Sequence, residues 1–265
     1  MEKAVLIITG NWHVPEHYSR AVLIITGNWH VPEHYSRVMS LLKQKGIRTI
    51  CRCLPTINNP SPPFKTIRDD IRFIKDIVSG EVEKGTRLTV LCHSYGGMIA
   101  SASLGEFAAD KKGGGVTSII YMAAFVPSEN ESLAGLLEDQ SQLRSFLDER
   151  PDGSCWVPDP IATFFSDQSA EDAEWALRLC VPWCPVQVML TPIPGDRVAW
   201  RTIPSTYIFC ETDCALLPET QRRLIDNVRA QGVEMDEYRV QADHSPFVNK
   251  PGEVADIVVS VMQRH

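Results

Sequence analysis

The chain has no apolar run long enough to cross a bilayer. Its start, Met1-Glu2-Lys3, leads into the apolar residues 4–8. Polar Thr9-Gly10-Asn11 then follows too soon for the apolar core and cleavage site of a secretory leader, so no signal peptide is expected. Positive charge is in deficit: 33 acidic against 26 basic side chains leave a net −7, which argues against nucleic acid or an anionic membrane surface as the main partner. Zinc-ribbon spacing is missing as well. Eight cysteines are scattered along the chain, and the C-x-C of Cys51 and Cys53 is read as part of one strand. Reduced thiols and a cytoplasmic location are the expectation, with no metal and no cofactor.

What is present suits a large soluble domain. Across 265 residues, 44% are hydrophobic and 22% charged, enough to bury a substantial core around one sheet. Residues 4–20 recur letter for letter as residues 21–37. One identical tandem copy is not a solenoid array, which needs several diverged repeats. Only the second copy runs on into apolar residues at helical spacing (Tyr35, Val38, Met39, Leu42) with Gly46 as a stop. The second copy is therefore assigned to the fold, and residues 1–20 to a spare strand or extension.

Strands and helices then alternate. Residues 48–54 read as a strand stopped by Pro55, and the proline-rich residues 58–63 as a loop. Residues 66–78 read as an amphipathic helix with Ile67, Ile71, Ile74 and Val78 on its apolar face. A strand at 88–92, a helix after Gly96 and a strand at 117–122 follow. From residue 126 to 200 the pattern changes to helical pieces, prolines and many aromatics, which reads as a helical cap inserted over the sheet. Strand 206–210, helix 218–228, strand 236–240 and a helix after Pro251 complete the chain. The expectation is an α/β fold with a mainly parallel, doubly wound sheet: core at 21–125 and 201–265, cap at 126–200.

One stretch organises this frame. In Cys92-His93-Ser94-Tyr95-Gly96-Gly97 a serine sits between a buried strand and a helix, with small residues where a sharp turn needs close backbone approach. A serine hydroxyl is a poor nucleophile unless a base takes its proton and an acid orients that base. Just past later strands the chain offers Asp213 and then His244, so Ser94, Asp213 and His244 appear in the order such a sheet demands. Glu211, on the same loop as Asp213, and Asp243, beside His244, are competing acids. His30 and His34 are four apart, but Pro32 between them spoils the geometry of a metal pair, and His30 is read as a pocket residue.

The Cys-His-Ser-Tyr-Gly-Gly turn, the Ile-Thr-Gly-Asn-Trp-His loop of residues 25–30 and the His-Ser-Pro-Phe of residues 244–247 resemble a group of α/β-hydrolases. That group holds plant methyl-ester esterases, hydroxynitrile lyases and uncharacterised fungal and bacterial relatives. The resemblance runs from residue 21 nearly to the end. It implies an α/β-hydrolase fold, Ser94 as nucleophile, Asp213 as acid and His244 as base. It also implies an oxyanion hole made by the backbone N–H groups of Asn28 and Tyr95, donors aimed where charge develops on an attacked carbonyl. Two features depart from the group: Cys92 replaces the first glycine of G-x-S-x-G, and Thr26-Gly27 replaces the usual His-Gly. The duplicated loop adds a third, since residues 9–11 could compete with residues 26–28.

The leading expectation is a serine hydrolase acting on a small, fairly apolar ester or lactone, with Trp29, His30, Phe125, Trp156, Phe164, Trp175 and Trp183 as candidates for the substrate pocket. Two alternatives are a lyase or cyclase using the same residues and a ligand-binding receptor on the same fold. Hydroxynitrile lyases of the group carry Lys directly after the catalytic His, where this chain has Ser245, which counts against cyanohydrin chemistry. The expected partner is a small molecule, and the sequence leaves a homodimer open.

Overall fold

The computed structural model describes residues 20–109, 113–137, 146–195 and 197–265. The first copy of the repeat, read as a spare strand or extension, lies outside the described residues except for Arg20.

In chain order the first half holds β1 (Arg20–Ile25), α1 (Ser36–Gln44), β2 (Arg48–Cys51), α2 (Ile67–Val82), β3 (Arg87–His93), α3 (Gly96–Ser103) and β4 (Gly115–Met122). A segment of small pieces follows: β5 (Asp148–Glu149), β6 (Ser154–Trp156), α4 (Pro160–Phe164), α5 (Ala170–Leu179), β7 (Cys184–Pro185) and α6 (Gln187–Leu190). The chain ends with β8 (Ser205–Cys210), α7 (Pro218–Ala230), β9 (Met235–Val240), α8 (Pro246–Asn249) and α9 (Pro251–Arg264).

Six strands form one sheet in the order β2-β1-β3-β4-β8-β9, and every pairing in it is parallel. Residues 21–25 of β1 and 88–93 of β3 are buried without alternation. Successive side chains in a strand point to opposite faces, so both faces of the sheet are covered by helices. Against the sheet α1 packs with α9 and α2 with α3. The apolar stripes explain this: Val38 and Leu42 of α1, Ile71, Ile74 and Val78 of α2, and Val254, Ile257, Val258 and Val261 of α9 are all buried. Thr66 caps α2, its backbone N–H donating to Asp69 Oδ2 at 2.9 Å.

Two expectations are corrected. The second strand ends at Cys51, so Cys53 does not share it: the carbonyl of Leu54 accepts the N–H groups of Ile57 and Asn58, at 3.1 and 3.0 Å, and turns the chain away. The segment between β4 and β8 is not purely helical. β5, β6 and β7 form a three-stranded antiparallel sheet there. Strands of two or three residues are too short to show a period of two.

Candidate active site

Strand β3 brings Ser94 to the C-terminal edge of the sheet, between its neighbours β1 and β4. There Ser94 adopts φ +53, a left-handed conformation that L side chains rarely take. The surroundings hold it in place. Its carbonyl accepts the N–H of Gly97 at 3.0 Å and of Phe125 at 3.2 Å. A Cβ on Gly97 would lie 2.1 Å from the Phe125 carbonyl oxygen, and one on Gly96 2.6 Å from that of Ile25. Only glycine lets the turn close this tightly. Cys92, where a glycine was expected, is fully buried with its thiol donating to the Ile120 carbonyl at 3.4 Å.

The loops after β8 and β9 supply an acid and an imidazole. His244 Nδ1 lies 2.9 Å from Asp213 Oδ2, with both residues buried. The other carboxylate oxygen of Asp213 accepts the N–H groups of Ala215 and Leu216, each at 2.8 Å, and Gln221 Nε2 reaches Oδ2 at 3.2 Å. Four donors thus aim the carboxylate and place the proton of the neutral imidazole on Nδ1. Glu211 instead pairs with Arg239 at 3.1 Å. Asp243 accepts the N–H of Asp167 and of Ser245, both at 2.9 Å, and the amide of Gln168, so its carboxylate joins the inserted segment to the His244 loop.

Ser94 and His244 line one cavity of about 330 Å³, and so do Asn28 and Tyr95. Neither the Asn28 nor the Tyr95 N–H has an acceptor among the described residues. The walls are apolar. Trp29, Phe125 and Phe164 contribute, as expected, together with Leu133, Phe146 and Met189, and residues 214–217 and Thr220 form another side. Among the described residues, no Lys, Arg, Asp or Glu lines it.

The other four aromatic candidates lie elsewhere. His30 is buried behind the wall, its Nδ1 donating to the Asn28 carbonyl at 2.7 Å. Burial, with His34 close by, holds its pKa well below that of an ordinary imidazole. Trp156 meets Trp29 edge-on at 5.9 Å, Trp175 packs on His34 and under the Arg37 guanidinium, and Trp183 stacks on Phe64 at 6.0 Å. These three serve the packing of the inserted segment rather than the cavity.

Sequence reasoning missed the polar residues that support the site. His93 Nε2 donates to the His244 carbonyl at 2.9 Å, so its Nδ1 is the acceptor for the Tyr35 hydroxyl at 2.8 Å. Tyr35 in turn accepts the Gly27 N–H at 3.2 Å. The hydroxyl thus supports the loop that carries Thr26-Gly27 in place of His-Gly. Burial and the nearness of His244 keep His93 well below its ordinary pKa and hence neutral. Tyr95 is anchored from below by its hydroxyl, which donates to Asp70 at 3.0 Å. Helical spacing marks Tyr35 only as part of an apolar stripe, and the sequence carries no signal for its hydroxyl or for Asp70.

A parallel sheet with a strained serine turn after its third strand, and a buried acid–imidazole pair past its last two, defines the α/β-hydrolase class. A model of the alpha/beta hydrolase family matches residues 22–257, and the chain belongs to that family. It is similar to "Alpha/beta hydrolase nvfD" of Aspergillus novofumigatus, 30% identical over 271 residues that cover 99% of this chain and 96% of the relative. It is also similar to "Probable hydrolase R7" of a Phoma species, 29% identical over 83% of this chain and 88% of the relative. Among solved structures, the methylesterase MES16 from Arabidopsis superposes with a TM-score of 0.72 at 18% identity, over 92% of this chain and 99% of that one.

Proposed function

We propose that the protein is a serine hydrolase that cleaves small, uncharged, largely apolar carboxylic esters or lactones through an acyl-enzyme. The observation that carries this reading is the buried 2.9 Å contact between His244 and Asp213, with Ser94 at φ +53 on the same cavity as His244. With Nδ1–H held by Asp213, the Nε2 lone pair of His244 is the base that takes the Ser94 proton as Oγ attacks the carbonyl carbon. The N–H groups of Asn28 and Tyr95 then receive the oxyanion. The imidazolium returns the proton to the leaving alkoxide, and a water activated by the same nitrogen releases the acid.

The apolar wall supports the substrate class. A charged substrate would leave water for a cavity whose described lining holds no ionic side chain to meet it, at a cost on the order of several kcal/mol. The eight unpaired thiols suit a reducing compartment, and we place the protein in the cytoplasm.

A fluorophosphonate probe tests the reading. It should label wild type at Ser94 and leave Ser94→Ala unlabelled, and hydrolysis of short aryl esters should vanish with the label. Labelling elsewhere, or esterase activity that survives in Ser94→Ala, would overturn it.

A further inference from the structure

We infer that Trp29 is a positioning residue through which the inserted segment sets the oxyanion loop, so that this segment takes part in catalysis beyond walling the cavity. The inference rests on the serine-hydrolase reading above.

Trp29 directly follows Asn28 and holds φ +63, in the left-handed region where a bulky side chain is strained. Glycine would adopt this φ freely. What keeps tryptophan there comes from the inserted segment. Its indole Nε1–H donates to the Cys155 carbonyl of β6 at 3.2 Å, and its own carbonyl accepts the Val181 N–H at 3.0 Å. Its ring meets Trp156 at 5.9 Å and Phe164 of α4 at 5.5 Å, and Phe164 in turn lies 5.7 Å from the His244 ring.

The other end of the loop is held by the core, through the Gly27 N–H on Tyr35. Asn28 therefore lies between an anchor on the core and an anchor on the insertion. Its carbonyl is engaged by His30 at 2.7 Å, while its N–H faces no protein acceptor among the described residues. A donor held from both sides is aimed before the substrate arrives, which is what oxyanion stabilisation needs. Releasing the Trp29 anchor lets the peptide before it rotate away from the reacting carbonyl. A shift of about 1 Å at such a group is enough to slow a reaction severely.

Two substitutions cut the anchor at different atoms. Trp29→Phe keeps an aromatic wall and removes the indole N–H. Val181→Pro removes the N–H that holds the Trp29 carbonyl, at a residue that does not line the cavity. The readouts are kcat and KM for a short aryl ester, together with the Ki of a trifluoromethyl ketone of the same acyl shape, which forms an oxyanion on Ser94. Each variant should lower kcat by about tenfold or more and raise the ketone Ki by a similar factor, with KM changed far less. The double variant should lose little more than the worse single one, because both act on one anchor.

An unchanged kcat and Ki in a folded Val181→Pro protein would overturn the inference, as would a loss confined to KM. If Val181→Pro does not fold, Trp29→Phe decides by the same criteria. Wild type labelled at Ser94 with insensitive variants sinks the anchor alone. Wild type that is not labelled there sinks the serine-hydrolase reading and this inference with it.

Discussion

The carbonyl oxygen of His244 accepts a 2.9 Å hydrogen bond from Nε2 of His93, the residue that precedes Ser94. The backbone of His244 is thus tied to the backbone just before Ser94 through one buried imidazole. Because that nitrogen must donate, the other must accept, and the Tyr35 hydroxyl is oriented by it. A chain of three hydrogen bonds, from Gly27 through Tyr35 and His93, links the loop that carries Asn28 to the His244 loop.

Replacing Tyr35 by Phe breaks this chain at its middle. The Gly27 N–H and His93 Nδ1 are then left buried and unpaired, at a cost of about 1–3 kcal/mol each before any water enters. Urea melts should show a loss of this order. The esterase kcat should also fall, because Gly27 precedes Asn28. A variant as stable and as active as wild type would show that the network is slack.

Asp213→Asn leaves an acceptor oxygen for the backbone but no longer commits the imidazole proton to Nδ1. On the proposed triad mechanism, kcat should drop by about 10⁴-fold while the fold survives. Steady-state kinetics on aryl esters, with circular dichroism as a control for folding, make the comparison. A drop of less than tenfold would mean that another acid orients His244.

Gly97→Ala puts a methyl group 2.1 Å from the Phe125 carbonyl oxygen, where neither backbone can yield without opening the turn. The expected loss exceeds about 4 kcal/mol, in the range reserved for severe core disruption. Soluble yield and thermal melting read it out. A variant that melts with wild type would show that the turn is looser than its contacts imply.

Asp70 gives a pH signature. Burial pushes its carboxyl up to about 6, against the hydrogen bonds from Thr56 and Tyr95 that favour the charged form. Between about pH 4, where an unfolded Asp titrates, and this raised value, the folded protein holds the extra proton. This contribution to stability therefore falls as pH rises through that window, by at most about 3 kcal/mol. The difference in unfolding free energy between wild type and Asp70→Asn, measured from pH 4 to 7, should follow that slope. A flat difference would place the Asp70 pKa near its unfolded value.

Much of the frame was legible because its signals are local. Buried β-branched runs, 3.6-residue stripes and glycines at a turn placed the six core strands, the main helices and the Ser94 elbow. The short β5, β6 and β7 carried no such pattern. In the cavity, Trp29, Phe125 and Phe164 were named from the sequence, whereas Leu133, Met189 and the run after Asp213 were not. That run was within reach of the same reasoning, since a loop leaving the Asp213 strand end borders whatever that end faces.

By itself the sequence determined the order of Ser94, Asp213 and His244 along the chain and their places past parallel strands. That information resides in short-range patterning, and a parallel sheet then carries all three to one edge. Only the tertiary structure decided which acid meets His244, which aromatics face the cavity and which brace the inserted segment from behind. Those outcomes depend on contacts between residues far apart in sequence: His30 and Trp156 flank the Trp29 wall from outside, Phe164 stands inside it, and nothing local to any of them distinguishes the two sides.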